Sequence, residues 1–498
     1  MFKRTVVKLL MVLMLIPFAS CKKWLDLQPQ DGLTGAEYWK TKEQVQASVN
    51  GIYASLLGSA TGSRSAAESF FLWGELRADM VTSTLFTLPE QIDVINVNML
   101  PTNSIASWRG IYETINYCNT VIDFAPGVLA KDATFTQTAL NRAVAEAKAL
   151  RALMYFYLVR TFDQVPLKIK STSSDAEIVS IAKSSQDEVL AQVLKDLNEA
   201  EIDAVTDYGD RASNKGRITK ATINAIQADV YLWQDKYAEC VAACNKVINT
   251  NQFGLIDGSD AGVWYRTLYV NGNSNESLFE LQFDNQKLNP FYTFFNTQRK
   301  VIANPIVMDE IYTIDLVDPL KFDIRADGAA VRSTDQMIWK YIGLTNTTSR
   351  AAEESYAHWI MYRYADVLLM KAEAQNQLGN GQEALDIINL VRARARALIA
   401  TAQNPAVSDK AGIAEYILKE RSREFAFEGK RWFDLLRNAK RNNYQRLDLL
   451  LDVVAITVPP NRQQSAIAKF KDKNCHYLPI YSYELTTNKA LVQNPFYK

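Results

Sequence analysis

Apolar residues recur at i, i+3, i+4 and i+7 through most of this chain, a spacing that lines them along one stripe of an α-helix. Trp108, Ile111, Tyr112 and Ile115 form one stripe, and Leu150, Leu153, Met154 and Tyr157 a second. Ala365, Leu368, Leu369 and Ala372 form a third, and Ala384, Ile387, Ile388 and Val391 a fourth. A helix with an apolar stripe must bury it against another element, so the chain has to pack helix on helix. With 48% hydrophobic and 11% aromatic residues it can fill a large core. At roughly 150 residues per domain, length alone suggests two or three domains, but the continuous helical pattern points to one body.

Two segments repeat one arrangement. Residues 223–248 turn at Gln234-Asp235 and residues 369–394 turn at Gly379-Asn380-Gly381. In each, an alanine of the first helix (Ala228, Ala374) precedes one of the second (Ala238, Ala384) by the same interval, which lets two helices approach closely. This is the mark of tetratricopeptide-like helical hairpins that stack to bury a shared core. The expected fold is mainly α, with stacked hairpins in one body and an irregular ligand-facing region containing a few short strands.

The helical period fails in two places. Between about 251 and 358, Gly, Asn and aromatic residues become frequent, with short strands expected, for example over Ser277 to Phe283. A second irregular stretch, about Thr82 to Ser107, carries polar and small residues. Long excursions without helices of their own usually serve function or are disordered, so these two are the expected ligand-facing insertions.

The N-terminus has its own logic. Lys3, Arg4 and Lys8 precede an apolar run from Leu9 to Phe18, and the small residues Ala19 and Ser20 stand just before Cys21. Residues 1–20 therefore read as a lipoprotein signal peptide, with the Cys21 thiol acylated and residues 21–498 forming the mature domain. The run is about half of the roughly 20 residues a helix needs to cross a bilayer, so the membrane is held through the lipid alone. Of 55 basic and 55 acidic residues, the signal removes three basic ones and no acidic one, leaving a near-neutral chain. That lacks the basic excess needed to neutralise phosphates, so nucleic acid is not an expected partner. Cys118, Cys240, Cys244 and Cys475 remain; Cys240 and Cys244 share a helical stripe with Tyr237, Val241 and Ile248, and buried free thiols are expected rather than disulfides.

Catalytic patterns are sparse. Glu420 and Glu424 fall on the face of Ile413, Tyr416 and Ile417. Paired carboxylates can hydrolyse glycosides, but buried charges need partners, and Arg421, Arg392 or Arg394 can supply them. Gly379-Asn380-Gly381-Gln382-Glu383-Ala384 matches G-x-G-x-x-A yet follows a helix instead of a strand, so a tight interhelical turn accounts for it better. His358 and His476 are the only histidines, which leaves no basis for a histidine-built metal or nucleophile site. No cofactor is implied.

The segments Cys21 to Asp26, Gly74 to Asp79, Arg363 to Ala374 and Glu420 to Leu435 together resemble the SusD/RagB family of outer-membrane nutrient-binding lipoproteins of Bacteroidetes. Cys21-Lys22-Lys23-Trp24-Leu25-Asp26 is similar to the family's mature start, and Gly74-Glu75-Leu76-Arg77-Ala78-Asp79 to an early element. Glu146 to Ala152, continuing to Val165-Pro166-Leu167, is similar to a helix and its exit loop, with Asp163 where a glycine is usual. Arg363 to Ala374, and Glu420-Arg421 through Phe427-Glu428-Gly429-Lys430-Arg431-Trp432-Phe433-Asp434-Leu435, are the most specific pieces. Leu478-Pro479-Ile480 and Gln493-Asn494-Pro495 resemble the ending, although Tyr481, Lys489 and Phe496 depart from it. The resemblance implies a helical body seated as a lid on a SusC-like TonB-dependent transporter. It also implies an outer-membrane, lipid-anchored, surface-exposed location, and non-catalytic capture of an oligosaccharide, with a peptide ligand or a glycan hydrolase as alternatives.

Rings in the irregular half have no helical spacing that assigns them to a core stripe. Trp264, Tyr265, Tyr292, Phe295 and Trp339 are therefore candidate ligand contacts, with core packing the competing fate. Arg77 and Asp79 are candidate polar contacts, against a salt bridge as the alternative.

Overall fold

The computed structural model describes residues 38–58, 64–174, 177–318 and 320–498; the signal segment and Cys21 lie outside them. Thirteen helices of ten or more residues stand among the described residues: α1 (Lys42–Leu56), α2 (Ala66–Glu75), α3 (Arg109–Phe124), α4 (Gln137–Phe162), α5 (Gln186–Asp203), α6 (Lys220–Trp233), α7 (Tyr237–Ile248), α8 (Tyr364–Gln377), α9 (Gly381–Arg394), α10 (Lys410–Glu424), α11 (Arg431–Tyr444), α12 (Asp448–Thr457) and α13 (Pro460–Phe470). The fold is mainly α, as the period requires. None of the described helices is long and apolar enough to cross a membrane.

Consecutive helices pack as neighbours: α3 on α4, α4 on α5, α6 on α7, α8 on α9, with α7 against α8 joining the hairpins. The two expected hairpins are α6–α7 and α8–α9. In the first, Ala228 is wholly buried but Ala238 is exposed, so the expected alanine pair does not form there; in the second, Ala374 and Ala384 are both wholly buried. The G-x-G-x-x-A segment is the α8–α9 turn, where Gly379 takes a φ of 89°. The α4 helix, 26 residues long, ends at Asp163 with φ 66°, a conformation glycine adopts at no steric cost. Asp163 tolerates it while accepting from Gln186 Nε2 at 2.8 Å.

Among the described residues, eight short strands make four two-stranded antiparallel pairs: β1 (Val81–Ser83) with β5 (Val301–Ala303), β2 (Val165–Pro166) with β3 (Lys183–Ser184), β4 (Ser277–Leu281) with β8 (Trp359–Arg363), and β6 (Val331–Arg332) with β7 (Met337–Ile338). The strand expected at 277–283 is thus β4. The stretch Thr82 to Ser107 is less irregular than its composition suggests, since Pro89–Ile95 is helical with Pro89 opening its first turn. Cys118, Cys240, Cys244 and Cys475 are free and buried.

An ionic cluster ties residues 251–358 to this body. Arg363 donates to Glu276 at 2.6 Å, and its guanidinium pairs with Glu424 at 2.5 Å and Glu428 at 3.1 Å, all fully or almost fully buried. Arg325 bonds Asp323, Glu420 and Glu424 at 2.6–2.8 Å, Arg392 bonds Glu420 at 2.9 Å, and Arg394 bonds Glu276 at 2.7 Å and also Glu424. The Glu420–Glu424 pair is therefore neutralised by arginines and carries no cleft chemistry. Arg421, one of the three expected partners, instead pairs with Asp434 at 2.8 Å. The surrounding guanidiniums hold Glu420 and Glu424 below the usual carboxylate range against the opposing effect of burial.

Candidate functional site

Most of the aromatic candidates are core. Trp264 (1% exposed), Tyr265 (2%), Phe295 (0%) and Trp339 (0%) present no ring face to solvent. Phe295 belongs to an aromatic cluster with Phe71, Phe291, Phe294 and Tyr341, with ring centroids 5.1–6.3 Å apart. Trp339 donates its indole N–H to Thr345 O at 2.8 Å, and Tyr265 donates its hydroxyl to Trp339 O at 3.1 Å. Trp264 lies under the Arg394 guanidinium. These four cannot stack on a ligand in this conformation, and the expectation that they do is corrected. Trp264 and Tyr265 close a short helix, Ala261–Tyr265, and Phe295 lies in the helical turn Thr293–Thr297, pieces too short for a period that would signal their burial. Tyr292 is half-buried and keeps its candidacy.

Arg77 and Asp79 are corrected in the same way. Arg77, packed over the Trp432 ring at 4.3 Å, donates to His476 O at 2.7 Å and to Cys475 O, which fastens the C-terminal segment. Asp79 receives both arms of Arg431, at 2.8 and 2.6 Å. The two family-like segments therefore dock on each other although about 350 residues separate them. Gly74 lies so close to Gly429 that a Cβ there would sit 2.0 Å from Gly429 O, and Glu75 accepts from Gly429 N at 2.8 Å.

The two irregular stretches do converge. In the β1–β5 pair, Val81 stands opposite Ala303 and Ser83 opposite Val301. Beyond the strands, Thr84 donates to Arg299 O at 2.7 Å and buried Thr87 to Lys300 O at 2.6 Å. This seam presents what ring-counting missed: Leu85 is 99% exposed, Phe86 68% and Leu88 44%. Polar groups flank them. Arg64 donates to Ser104 O at 2.8 Å and pairs with Glu68 and Glu90 at 3.6 and 3.7 Å. Burial raises Glu68 above the ordinary carboxylate range, opposed by Arg64 and Lys300. The Lys300 ammonium lies 5.3 Å from the Phe294 ring centre, and Arg299 donates to Asp335 O at 2.6 Å. An apolar tip ringed by a few fixed polar groups is the usual composition of a recognition surface. The only signal for it in the sequence is Leu85-Phe86 inside a stretch without period.

Neither histidine is poised for chemistry at this seam. His358 Nδ1 is bonded to Glu280 at 2.6 Å, and His476 is buried with Nε2 on Phe470 O at 2.8 Å and its ring lowered to about 4 by burial.

Two family models match the chain: the SusD family over residues 327–497, and a second described as "Starch-binding associating with outer membrane" over residues 23–232. SusD-like protein P38 of Formosa agariphila is 27% identical, covering 88% of this chain and 92% of that one. SusD-like protein P2 of the same organism is 26% identical over 98% of both. Among solved structures, a SusD superfamily protein from Bacteroides vulgatus superposes with a TM-score of 0.75 at 20% identity, covering 92% of this chain and all of that one. Neither model reaches into 233–326, where β5, Tyr292 and Lys300 lie.

Proposed function

We propose, from the premise that the chain belongs to the SusD/RagB family, that it is a non-catalytic nutrient-binding protein of the outer membrane that captures glycan oligomers at the cell surface. Cys21 carries the lipid that anchors it, and a SusC-like TonB-dependent transporter receives the ligand. The observation that carries the reading is the β1–β5 seam, where two irregular stretches far apart in the chain meet and expose Leu85, Phe86 and Leu88 beside fixed charges. Glycan is favoured over peptide because the matching N-terminal model is described as starch-binding. The Phe86 ring is the group best placed to lie against the apolar face of a sugar.

The test is calorimetric titration of the mature chain with a panel of polysaccharides and peptides. Phe86→Ala should weaken the bound oligomer by about 1 to 3 kcal/mol, the scale of an interface anchor, with the melting temperature unchanged, and Tyr292→Ala should weaken it on the same scale with some loss of stability, because Tyr292 packs partly against the core. Unaltered affinity in both variants would remove the seam from the proposal. A wild-type chain that binds no oligomer of the panel would overturn nutrient capture itself.

A further inference from the structure

A second cleft, of about 860 Å3, opens on another part of the body, between α5 and the α6–α7 turn, with α11 contributing Lys440. At its floor the Lys440 ammonium lies 3.8 Å from the centre of the buried Trp233 ring, whose indole N–H donates to Gln186 Oε1 at 3.1 Å. Lys195 and Lys236 stand on the same cleft.

The charges here are unevenly matched. Glu199 is engaged by Lys148 at 2.6 Å. Asp235 accepts from the Tyr237 hydroxyl at 2.8 Å and from Arg441 at 3.3 Å. Asp187 sits in the first turn of α5, where the unpaired backbone N–H groups favour its charge. Among the described residues, none of the three lysines forms an ion pair. Burial pulls Lys440 down to about 8, opposed by Asp235 and Asp163, with Arg437 and Arg441 adding repulsion. The ammonium lies over a ring face with Asp235 and Asp163 acting on it from a distance and no carboxylate in direct ion-pair contact, so its desolvation is only partly offset. Gln234, on the same wall, has an Oε1 shielded from solvent with no donor in the protein.

We infer that this cleft is a second binding site, for a uronic-acid-bearing oligosaccharide whose carboxylate pairs with Lys440 between Lys195 and Lys236. The carboxylate supplies a counter-charge in direct contact with the ammonium, which Asp235 and Asp163 provide only from a distance. The inference does not depend on the β1–β5 seam.

Titration of the mature chain with trigalacturonate, maltotriose and triglutamate tests it. Trigalacturonate should bind, with an affinity that falls as salt rises. Lys440→Met, which keeps an apolar stem over Trp233, should weaken it by about tenfold or more, and the double variant Lys195→Ser/Lys236→Ser several-fold. Maltotriose should show no dependence on Lys440, and Phe86→Ala should leave trigalacturonate binding unchanged. Failure of the wild-type chain to bind trigalacturonate overturns the proposal, as does equal affinity in the lysine variants or a loss in Phe86→Ala. Triglutamate bound as well as trigalacturonate overturns the saccharide class. Should Lys440→Met not fold, the exposed double variant decides, and unchanged affinity there is refutation.

Discussion

Cutting Trp339 to alanine separates a core role from a ligand role at the position where sequence and structure disagree most. The side chain is 0% exposed. An aromatic of this size buries on the order of 150 to 250 Å2, which at about 25 cal/mol per Å2 corresponds to roughly 4 to 6 kcal/mol. That is an upper figure, because unfolded chains already hide part of their apolar surface; measured large-to-small cuts of Phe and Trp fall at about 3 to 5 kcal/mol. The lost indole bond adds little, since Thr345 is exposed and its carbonyl can turn to water. We expect Trp339→Ala to lose about 4 kcal/mol, a large share of the roughly 5 to 15 kcal/mol available to a folded protein. Urea unfolding followed by circular dichroism reads the loss, and ligand titration of the folded fraction should give wild-type affinity. A variant within about 0.5 kcal/mol of wild type, the range of an ordinary surface change, but with weakened binding would refute the burial argument and restore Trp339 to the ligand face.

Other perturbations follow from the same geometry. Ala374→Trp, at a wholly buried position of α8, should cost about 1 to 3 kcal/mol or more through overpacking, and an unchanged melt would mean that the α7–α8 contact is misplaced. Glu75 is buried, its Oε2 has no partner, and burial raises it to about 8 despite the Gly429 N–H. A carboxyl raised on folding contributes stability below its unfolded value near 4.5 that is lost as pH climbs through about 8. Glu75→Gln should thus melt higher than wild type at pH 9 and no higher at pH 4, and identical shifts at both would contradict it. Glu428 runs the opposite way: Arg363 and Lys340 hold it at about 2, so its contribution is present above about 4.5 and drains away in acid, and Glu428→Gln should flatten the acid limb of the stability curve. Cys21→Ala should move the protein from the membrane to the soluble fraction, and a wholly membrane-bound variant would contradict the lipid anchor unless the transporter alone retains it.

Helical order was legible because it is local. The stripes at Leu150–Tyr157 and Ala365–Ala372 repeat every turn, and the alanines at 228, 374 and 384 are wholly buried, although Ala238, the fourth of the expected set, is exposed. Local geometry also explains a partial success at the ionic cluster. Arg392 and Arg394 reach Glu420 and Glu424 from α9, whereas Arg421, one residue from Glu420 on α10, projects about 100° away around the helix and meets Asp434. Arg325, which bridges both carboxylates, lies in a segment with no period and gave no sign of its role.

That same lack of period defeated the reading of the ligand face, in both directions. Trp264, Tyr265, Phe295 and Trp339 are buried by contacts with residues distant in the chain, Tyr265 with Trp339 and Phe295 with Phe71 among them. Leu85 and Phe86, of the same apolar character and also without period, are left in solvent by a turn held from outside by Thr84 and Thr87 on Arg299 and Lys300. Nothing within ten residues of either set tells them apart, because burial of an irregular segment is decided by what crosses it. A period predicts which face of an element is covered; without one, only the partner strand does, and β5 lies more than 200 residues from β1. Exposed apolar residues that a distant strand pins in place are therefore the features of this fold that a sequence reading should be expected to miss, and they are the ones on which its proposed binding rests.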